Sequence, residues 1–403
     1  MTCFTPGMPA GPFLVMAAAL AFGARAVSRA QATQARANEV IGARGTPSAT
    51  ARVSEAERER EQYKPVLTPI AVEVGDGLAA LVESAPGQPD APLRALIPAM
   101  RDTLFQDLGI PFPGVRVRVA RGELPPQMLV IRVHEIPVVE RELPAGMRLV
   151  PGAADLFALK GVRAEPDTHP AFGSPAAWVD EATAAQLEKD GEVALAHDEV
   201  VVAALSGALR KHAAQFVGIQ ETQTLIDALE TTHPALIRNT IPKPLTVNLL
   251  AEVLRRVAEE GISIRNLRDI LEGLAPYATT EKDPVVLADL ARQALKRHIT
   301  HAFAPRGRLS AWVLAGEVSD AIRDAIVRTP SGNYLRLDPQ LGDEIRESAA
   351  ARIGPEPAVL LVDADIRRYV WLLLETRMPQ VRVISHAELV PGTVVDPLGT
   401  VMP

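Results

Sequence analysis

Two spacings of apolar residues divide the chain from residue 65 onward into predicted strands and helices. Every second residue is apolar in "GVRVRV" and in "QMLVIRVHEIPVVE", which predicts two neighbouring strands. A continuous apolar run at Ile70–Val74 precedes them, and helical spacing predicts a helix over Leu93–Leu108. These patterns predict an α+β subdomain over residues 65–152, which the helical stretch at residues 197–220 completes.

Residues 153–196 interrupt that subdomain with loop-rich sequence that includes "DTHPAFGSPAAWVD". The helical stretch "HDEVVVAALSGALRKHAAQF" follows directly. The change from loop-rich sequence to a helical pattern predicts that residues 153–196 form a small inserted subdomain.

Residues 221–304 are predicted to be helical throughout. In "SIRNLRDILEGLA" Ser263 is the predicted N-cap, Pro276 ends the helix, and Asp283 followed by Pro284 begins the next one. The apolar residues of the first of these helices follow one face, namely Ile264, Leu267, Ile270, Leu271 and Leu274.

Residues 305–403 alternate between strand and helix patterns. "RLSAWVLAG" predicts a strand that leads into a helix with Val318, Ile322 and Ile326 on its inner face. "PAVLLVDADIRRYVWLLLETRMPQVRVISHAEL" predicts strand, helix and strand, with the two strands parallel through a right-handed crossover. The predicted fold class is therefore α+β multi-domain, with two α+β subdomains, one helical subdomain and one α/β subdomain.

An uncharged stretch opens the chain. Residues Phe4–Ala24 carry no charge and are long enough to cross a hydrocarbon layer of about 30 Å as a helix, which predicts a transmembrane helix within residues 1–27. A signal peptide is the main alternative and a buried globular helix the third. Residues 28–64 lack apolar periodicity and are predicted to form a flexible linker. The arginines after the stretch predict that everything downstream lies in the cytoplasm, and they are Arg25, Arg29, Arg36 and Arg44.

Composition narrows the possible functions. The 403 residues carry a formal net charge of -7, which argues against a protein that coats nucleic acid. The single cysteine, Cys3, cannot form an internal disulfide or a cysteine-based metal cage.

Sequence motifs for common catalytic schemes are absent, including GxxxxGK[ST], GxGxxG, GxSxG and HExxH. His298 and His301 lie near one helical face but lack a third metal ligand at a suitable spacing. Asp363 and Asp365 follow a strand, where helix capping explains them more simply than paired-carboxylate chemistry. We therefore predict no enzyme activity, no cofactor and no metal.

A DNA-binding helix-turn-helix is also disfavoured. Between Gly261 and His298 the chain has six basic and five acidic residues, whereas a DNA-facing pair of helices concentrates positive charge.

Several motifs together resemble a known family. "SIRNLRDILEGLA", then "EKDP" and a long helix, resembles the helical subdomain of the type III secretion export-gate (FHIPEP) family. In the same order, "GMPAGPFLVMAAALAFGA" is similar to the last membrane helix of that family, "VEVGDGLAALVE" to the entry of its first cytoplasmic subdomain, and "VRVISHAEL" to the closing strand of its fourth.

The resemblance implies an export gate in the bacterial inner membrane with its C-terminal domain in the cytoplasm. It implies a homo-oligomeric, nonameric ring built by residues 221–304, which receives chaperone–substrate complexes and works with other export-apparatus proteins and an ATPase complex. No nucleic-acid partner is expected. The signature residues for the ring-forming subdomain are Ser263, Ile264, Arg265, Asn266, Leu267, Arg268, Lys282 and Asp283.

The resemblance also implies a docking site for chaperone complexes. The flagellar pattern "DPxFG" reads here as His169, Pro170, Ala171, Phe172 and Gly173, with histidine in place of the acid, and the nearby "THLS" pattern begins at Ala203. The predicted docking residues are His169, Pro170, Phe172, Gly173 and Ala203. The alternative is a turn with Phe172 buried in its own subdomain.

The branch of the family is suggested by one segment. "HEIPVVERELPAG" resembles the "NEIPV" pattern of the injectisome branch more than the flagellar pattern, although a flagellar paralogue stays open as the alternative. Family members carry further membrane spans before this point, which leaves three alternatives open: a fragment, a mis-called start or a split gene.

Overall fold

The computed structural model describes residues 67–84, 90–159, 161–329 and 332–402. The predicted membrane helix at residues 1–27 and the linker at residues 28–64 lie outside these ranges. Within them, no helix has the length and apolar character needed to cross a membrane. Thr68–Pro403 forms one compact unit.

The first sheet has the strand order β2-β1-β3-β4, with strands β1 (Ile70–Val74), β2 (Arg116–Val119), β3 (Met128–Val133) and β4 (Ile136–Glu142). The two strands predicted to be neighbours, β2 and β3, instead flank β1, because β1 pairs parallel with β2 and antiparallel with β3. The hairpin between β3 and β4 turns at His134 and Glu135, which both have positive φ. A 3-10 helix, Asp76–Leu81, follows β1.

Two helices cover the apolar face of this sheet. They are α1 (Pro92–Leu108), close to its predicted bounds, and α4 (His197–Lys211). Ile70, Val72 and Ile131 are fully buried together with Leu104 of α1 and Leu205 of α4. The helix that follows the insertion therefore completes the core of the first sheet.

The insertion forms a sheet of its own with the strand order β5-β7-β6 and antiparallel pairing. Its elements are β5 (Met147–Pro151), α2 (Ala154–Leu159), β6 (Glu165–Thr168), β7 (Pro175–Asp180) and α3 (Glu181–Lys189). A separate small core includes Val150, Phe157 and Val179. Strand β5, which begins at Met147, belongs to this sheet through its pairing with β7.

Six α-helices follow, as the helical spacing predicted. They are α5 (Ile219–Glu230), α6 (Pro234–Thr240), α7 (Val247–Glu259), α8 (Leu267–Leu274), α9 (Pro284–Ala294) and α10 (Lys296–Phe303), with a 3-10 helix at Ala213–Phe216 before them. The Asp283 carboxylate accepts a hydrogen bond from the Val285 N–H at 2.8 Å, which confirms it as an N-cap. The prediction that Ser263 caps α8 is wrong, because Asn266 is the capping residue and accepts from the Asp269 N–H at 3.2 Å.

The C-terminal sheet is parallel throughout, with the order β12-β11-β8-β13. Its strands are β8 (Arg308–Leu314), β11 (Ala358–Val362), β12 (Val381–Ser385) and β13 (Val394–Val401), and its helices are α11 (Gly316–Asp324), α12 (Pro339–Ile353) and α13 (Arg367–Leu374). Strands β9 (Ile326–Thr329) and β10 (Gly332–Leu335) form a hairpin beside it. A short 3-10 helix, His386–Glu388, precedes β13.

The predicted parallel crossover is confirmed, since β11 and β12 pair in parallel and α13 connects them. The assignment of Ile326 to the face of α11 is wrong, because that helix ends at Asp324 and Ile326 begins β9.

Candidate functional site

The turn between β6 and β7 carries four of the five predicted docking residues, namely His169, Pro170, Phe172 and Gly173. The His169 N–H donates to the Ser174 carbonyl at 2.7 Å, and the Gly173 N–H donates to the His169 carbonyl at 2.8 Å. Gly173 has a φ of +70°, which glycine adopts without strain. The sequence therefore folds locally into a closed turn with Phe172 near its tip.

This turn lies across from helices α1 and α4 and encloses with them an apolar groove of about 340 Å³. We call it the Phe172 groove. The residues that line it are Leu96, Met100 and Thr103 of α1, His169, Ala171 and Phe172 of the turn, and Glu199, Val202, Ala203 and Ser206 of α4. Three of the five predicted docking residues, His169, Phe172 and Ala203, thus line one groove.

The other two predicted docking residues, Pro170 and Gly173, shape the turn without lining the groove. The Pro170 carbonyl oxygen lies only 2.9 Å from the point that a Cβ atom would occupy on Gly207 of α4. The turn and the helix are therefore in close backbone contact.

Phe172 is largely exposed, with 78% of its surface accessible to solvent. Its ring stacks on the His169 imidazole with a centroid distance of 4.8 Å and an interplanar angle of 22°. The alternative of a Phe172 buried in its own subdomain does not fit this exposure. A large aromatic ring held at the rim of an apolar groove is typical of a binding surface.

The surroundings of His169 favour its neutral form. Burial lowers the pKa of its imidazole, and the positive charge of Arg141 lowers the pKa further. Its Nδ1 atom accepts a hydrogen bond from the Ala171 N–H at 3.2 Å. On β4, Arg141 donates to the Thr168 carbonyl at 2.5 Å and pairs with Asp167 at 2.6 Å, so the base of the turn is anchored to the first sheet.

The chemistry of the groove favours binding. His169 and Glu199 are the two titratable residues that line it, and the Glu199 carboxylate already accepts from the Ala196 N–H at 2.8 Å at the start of α4. The arrangement offers an apolar surface with one exposed ring.

The signature residues of α8 lie apart from the groove and fix α8 to α1. The Ile264 N–H donates to the Leu108 carbonyl at 2.9 Å, and the Arg265 guanidinium donates to the Gln106 carbonyl at 3.3 Å. Gly109, with a φ of +74°, permits this approach, since a Cβ atom there would lie 2.3 Å from the Arg265 nitrogen.

Some of the remaining signature residues are buried in the protein, and others are exposed to solvent. Leu267 is buried, and Lys282 donates to the Pro244 carbonyl at 3.0 Å. Arg268 is about half exposed and pairs with Glu272 on its own helix at 3.0 Å. Arg265, Arg268 and Lys282 are all exposed, and Arg268 is the one of these three that lies within α8.

The other candidate groups have structural partners. The His298 ring and the Asn266 amide are 2.8 Å apart. Asp363 and Asp365 both bind Arg323 of α11, at 2.8 Å and 2.6 Å, so capping of α13 is not their main role. The hydrogen bond from Arg323 lowers the pKa of Asp365. Among the described residues no group of three His, Cys, Asp or Glu residues is placed to hold a metal ion.

The sequence reasoning missed a buried cluster of charged residues, which we call the Glu260 cluster. Arg292 of α9 donates to Glu260 at 2.9 Å and to Glu388 at 2.8 Å, and Arg367 of α13 contacts both of these carboxylates. The side chains of these four residues are at most 2% exposed.

The rim of the Glu260 cluster contains Asp289, which binds Arg367 at 2.5 Å. Burial raises the pKa of Asp289, and the charge of Arg367 partly opposes that rise. One signal in the sequence could have revealed the cluster: Arg292 lies at helical spacing from the buried Ala288 and Leu295, so its side chain points into the core.

The sequence matches the FHIPEP family over residues 1–393, and the chain belongs to that family. It is 32% identical to the low calcium response locus protein D of Yersinia pestis over 412 residues, which covers 98% of this chain and 57% of that protein. It is 31% identical to the flagellar biosynthesis protein FlhA of Bacillus subtilis, across 96% of this chain and 56% of that protein. The chain thus spans just over half the length of these relatives.

Solved structures share the fold. CdsV of Chlamydia pneumoniae, solved in a complex with CdsO, matches with a TM-score of 0.78 and 33% identity over 85% of this chain and 100% of the CdsV chain. The nonameric SctV-C of EPEC matches with a TM-score of 0.69 and 24% identity over 84% of this chain and 99% of that one. The described residues therefore have the mixed α/β, multi-domain fold of SctV cytoplasmic domains.

Proposed function

We propose that this chain is the export-gate component of a bacterial type III protein secretion system. The FHIPEP match over residues 1–393 carries this proposal. In this function the protein binds export cargo and passes it to a channel in the inner membrane, and it acts as a receptor rather than as an enzyme. Residues 1–27 would lie in that membrane, with the rest in the cytoplasm.

The proposal divides the rest of the chain into four subdomains. The first contains the β2-β1-β3-β4 sheet with α1 and α4, the second the inserted β5-β7-β6 sheet, the third helices α5 to α10, and the fourth the parallel sheet. Three separate sheets and one group of helices, each with its own sequence of elements, support this division. The inserted subdomain would begin at Met147.

The Phe172 groove is the proposed docking site for chaperone–substrate complexes. It lies between the first and second subdomains, is apolar, and presents one exposed ring. The CdsV–CdsO complex supports a further partner from the export apparatus, and the ATPase complex is expected to act with the gate.

Replacing Phe172 with alanine tests the docking proposal. We expect the affinity for a purified chaperone–substrate complex from the same bacterium to fall roughly 30-fold, the effect of losing an aromatic hot spot worth about 2 kcal/mol. Isothermal titration calorimetry with the full chain measures it.

Tyr277→Ala is the matched control, because Tyr277 is also an aromatic residue with half of its surface exposed and lies outside the groove. Its affinity should equal that of the unmodified protein. A folded Phe172 variant with unchanged affinity would remove the groove from the docking function.

We propose that the chain assembles into a homo-oligomeric ring through the helical subdomain. The test measures the mass of Lys64–Pro403 over a series of protein concentrations. Because nonameric SctV-C has the same fold, we expect growth from a monomer toward one closed oligomer. Multi-angle light scattering gives the mass.

Arg268→Glu should shift that equilibrium toward monomer, because it reverses the exposed charge of the α8 signature. Arg94→Glu is the control, since Arg94 is likewise exposed and pairs with an acid four residues away in the chain, Asp90. A strict monomer at every concentration would argue against assembly by this part of the chain.

The injectisome branch is favoured over the flagellar branch. The segment "HEIPVVERELPAG" supports this, and it occupies the β3–β4 hairpin and its continuation. A flagellar paralogue is the second candidate, since FlhA is also a relative.

A further inference from the structure

The turn that presents Phe172 has, besides its two backbone hydrogen bonds, a side-chain hydrogen bond that protonation removes. The Ala171 N–H donates to His169 Nδ1 at 3.2 Å, a bond from one residue to the side chain two positions earlier. The same imidazole forms the surface on which the Phe172 ring stacks, at 4.8 Å. Both contacts of His169 therefore set the position of Phe172.

Only a neutral imidazole can make this hydrogen bond. An Nδ1 atom that accepts has no proton, so the ring proton is on Nε2, whereas a protonated imidazole has two donors and no acceptor. We propose that His169 is a positioning residue of the Phe172 groove, whose neutral ring holds the turn in its docking geometry and whose protonation in mild acid releases it. This inference rests on the docking function proposed above.

The surroundings of His169 determine the sign of the effect. Arg141 from β4 and Asp167 from β6 pair with one another beside the turn, Glu199 faces it from α4, and α1 contributes the uncharged Leu96, Met100 and Thr103. Burial and Arg141 both lower the pKa of His169 below the ordinary value of 6.5. The neutral form is thus present at neutral pH, and docking geometry is lost as the pH falls through the lowered pKa.

Histidine here occupies the position of the acid in the "DPxFG" pattern. Asp and Asn side chains commonly accept a hydrogen bond from the backbone two residues on, in an Asx-turn. An amide or a carboxylate at residue 169 would keep that acceptor through the range in which histidine titrates. This chain should therefore differ from a relative with the acid by its sensitivity to mild acid.

The test follows hydrogen–deuterium exchange in the full chain from about pH 8 to about pH 4.5, the range that brackets histidine titration. The peptide that contains Ala171 is monitored, and its rate is corrected for intrinsic exchange. Protection should drop roughly threefold to tenfold on acidification, the factor that corresponds to one net hydrogen bond. The midpoint should coincide with the His169 titration measured by NMR on ¹³C-labelled histidine.

Two variants make the test specific. His169→Asn should keep full protection at every pH, because the amide oxygen replaces Nδ1 without titrating, and His169→Ala should show low protection throughout. Equal acid sensitivity in the Asn variant, or protection in the unmodified protein that does not follow the His169 titration, would overturn the inference.

The experiments can contradict the docking proposal and the His169 proposal independently of each other. Exchange at Ala171 reports on the turn whether or not a chaperone complex binds there. Unchanged affinity in Phe172→Ala would end the docking proposal without altering this exchange result.

Discussion

At the scale of single residues, Gly207 decides how closely α4 can approach the turn that carries Phe172. A Cβ atom at this position would lie 2.8 Å from Ala171 Cα and 2.9 Å from the Pro170 carbonyl oxygen. Both neighbours are backbone atoms, so no side-chain rotation can relieve the contact. The missing side chain is therefore a condition for the groove geometry.

We expect Gly207→Ala to destabilise the protein and displace the turn. Overpacking costs about 1–3 kcal/mol, whereas the gain in helix propensity from alanine is only about 0.5–1 kcal/mol, so the net effect is a loss of up to about 2 kcal/mol. Urea unfolding measures the loss, and faster exchange at residues 169–174 reports the displacement.

Gly316→Ala provides the control for this substitution. Gly316 begins α11, and a Cβ atom there would meet no other atom within 4 Å. Its variant should be as stable as the unmodified protein or slightly more so. If the Gly207 variant were as stable as the unmodified protein, the turn would be able to move away from α4 without loss of stability.

At the scale of elements, α8 shows how tertiary contacts move a helix start. Ser263 has the sequence features of an N-cap, and Ile264 fits the apolar face of the helix. The Ile264 N–H nevertheless donates to the Leu108 carbonyl at the end of α1, which holds that segment extended. The helix then starts at Leu267, where the Asn266 side chain supplies the cap.

The order of the strands in the first sheet likewise depends on tertiary contacts that the local sequence does not specify. Alternation located the strands β2 and β3, yet their order in the sheet depends on β1, which inserts between them. Alternation specifies which side of a strand is buried but not which strand lies beside it. Pairing is a property of residues that are far apart in the chain.

At the scale of the whole molecule, the Glu260 cluster joins the helical part of Thr68–Pro403 to the C-terminal sheet. Glu260 follows α7 and Arg292 lies on α9, whereas Arg367 lies on α13 and Glu388 follows β12. Two cations and two anions balance in this nearly dry space. Removal of one member leaves buried charges of one sign in excess.

Arg292→Met should destabilise the protein by about 3–5 kcal/mol, the typical effect of breaking a buried ion pair. The loss arises because Glu388 stays buried with Arg367 as its arginine partner, and Glu260 stays buried with Arg367 and the more exposed Arg368. Urea unfolding at neutral pH measures the change.

Arg308→Met is the comparison variant, because its pair with Asp396 is exposed and should contribute at most about 1 kcal/mol. Similar losses in the two variants would mean that the Glu260 cluster contributes no more than a surface ion pair.

The sequence alone determined the features that depend on near neighbours. Helical spacing predicted the helices between residues 221 and 304, Asp283 and Pro284 marked the start of α9, and the strand–helix–strand pattern gave the parallel crossover of β11 and β12. The ordered motifs identified the family, because a motif is a local string of residues. Local spacing is sufficient where burial and hydrogen bonding are set within one element.

Only the tertiary structure decided the features that form where segments distant in the chain come into contact. Motif resemblance selected His169, Phe172 and Ala203, but the groove exists because Gly207 lets α4 meet the turn. The Glu260 cluster joins Arg367 to a carboxylate 107 residues earlier in the chain, and nothing in the local pattern pairs them. Such contacts form because folding brings distant surfaces together, and each segment by itself would leave the same charges in water.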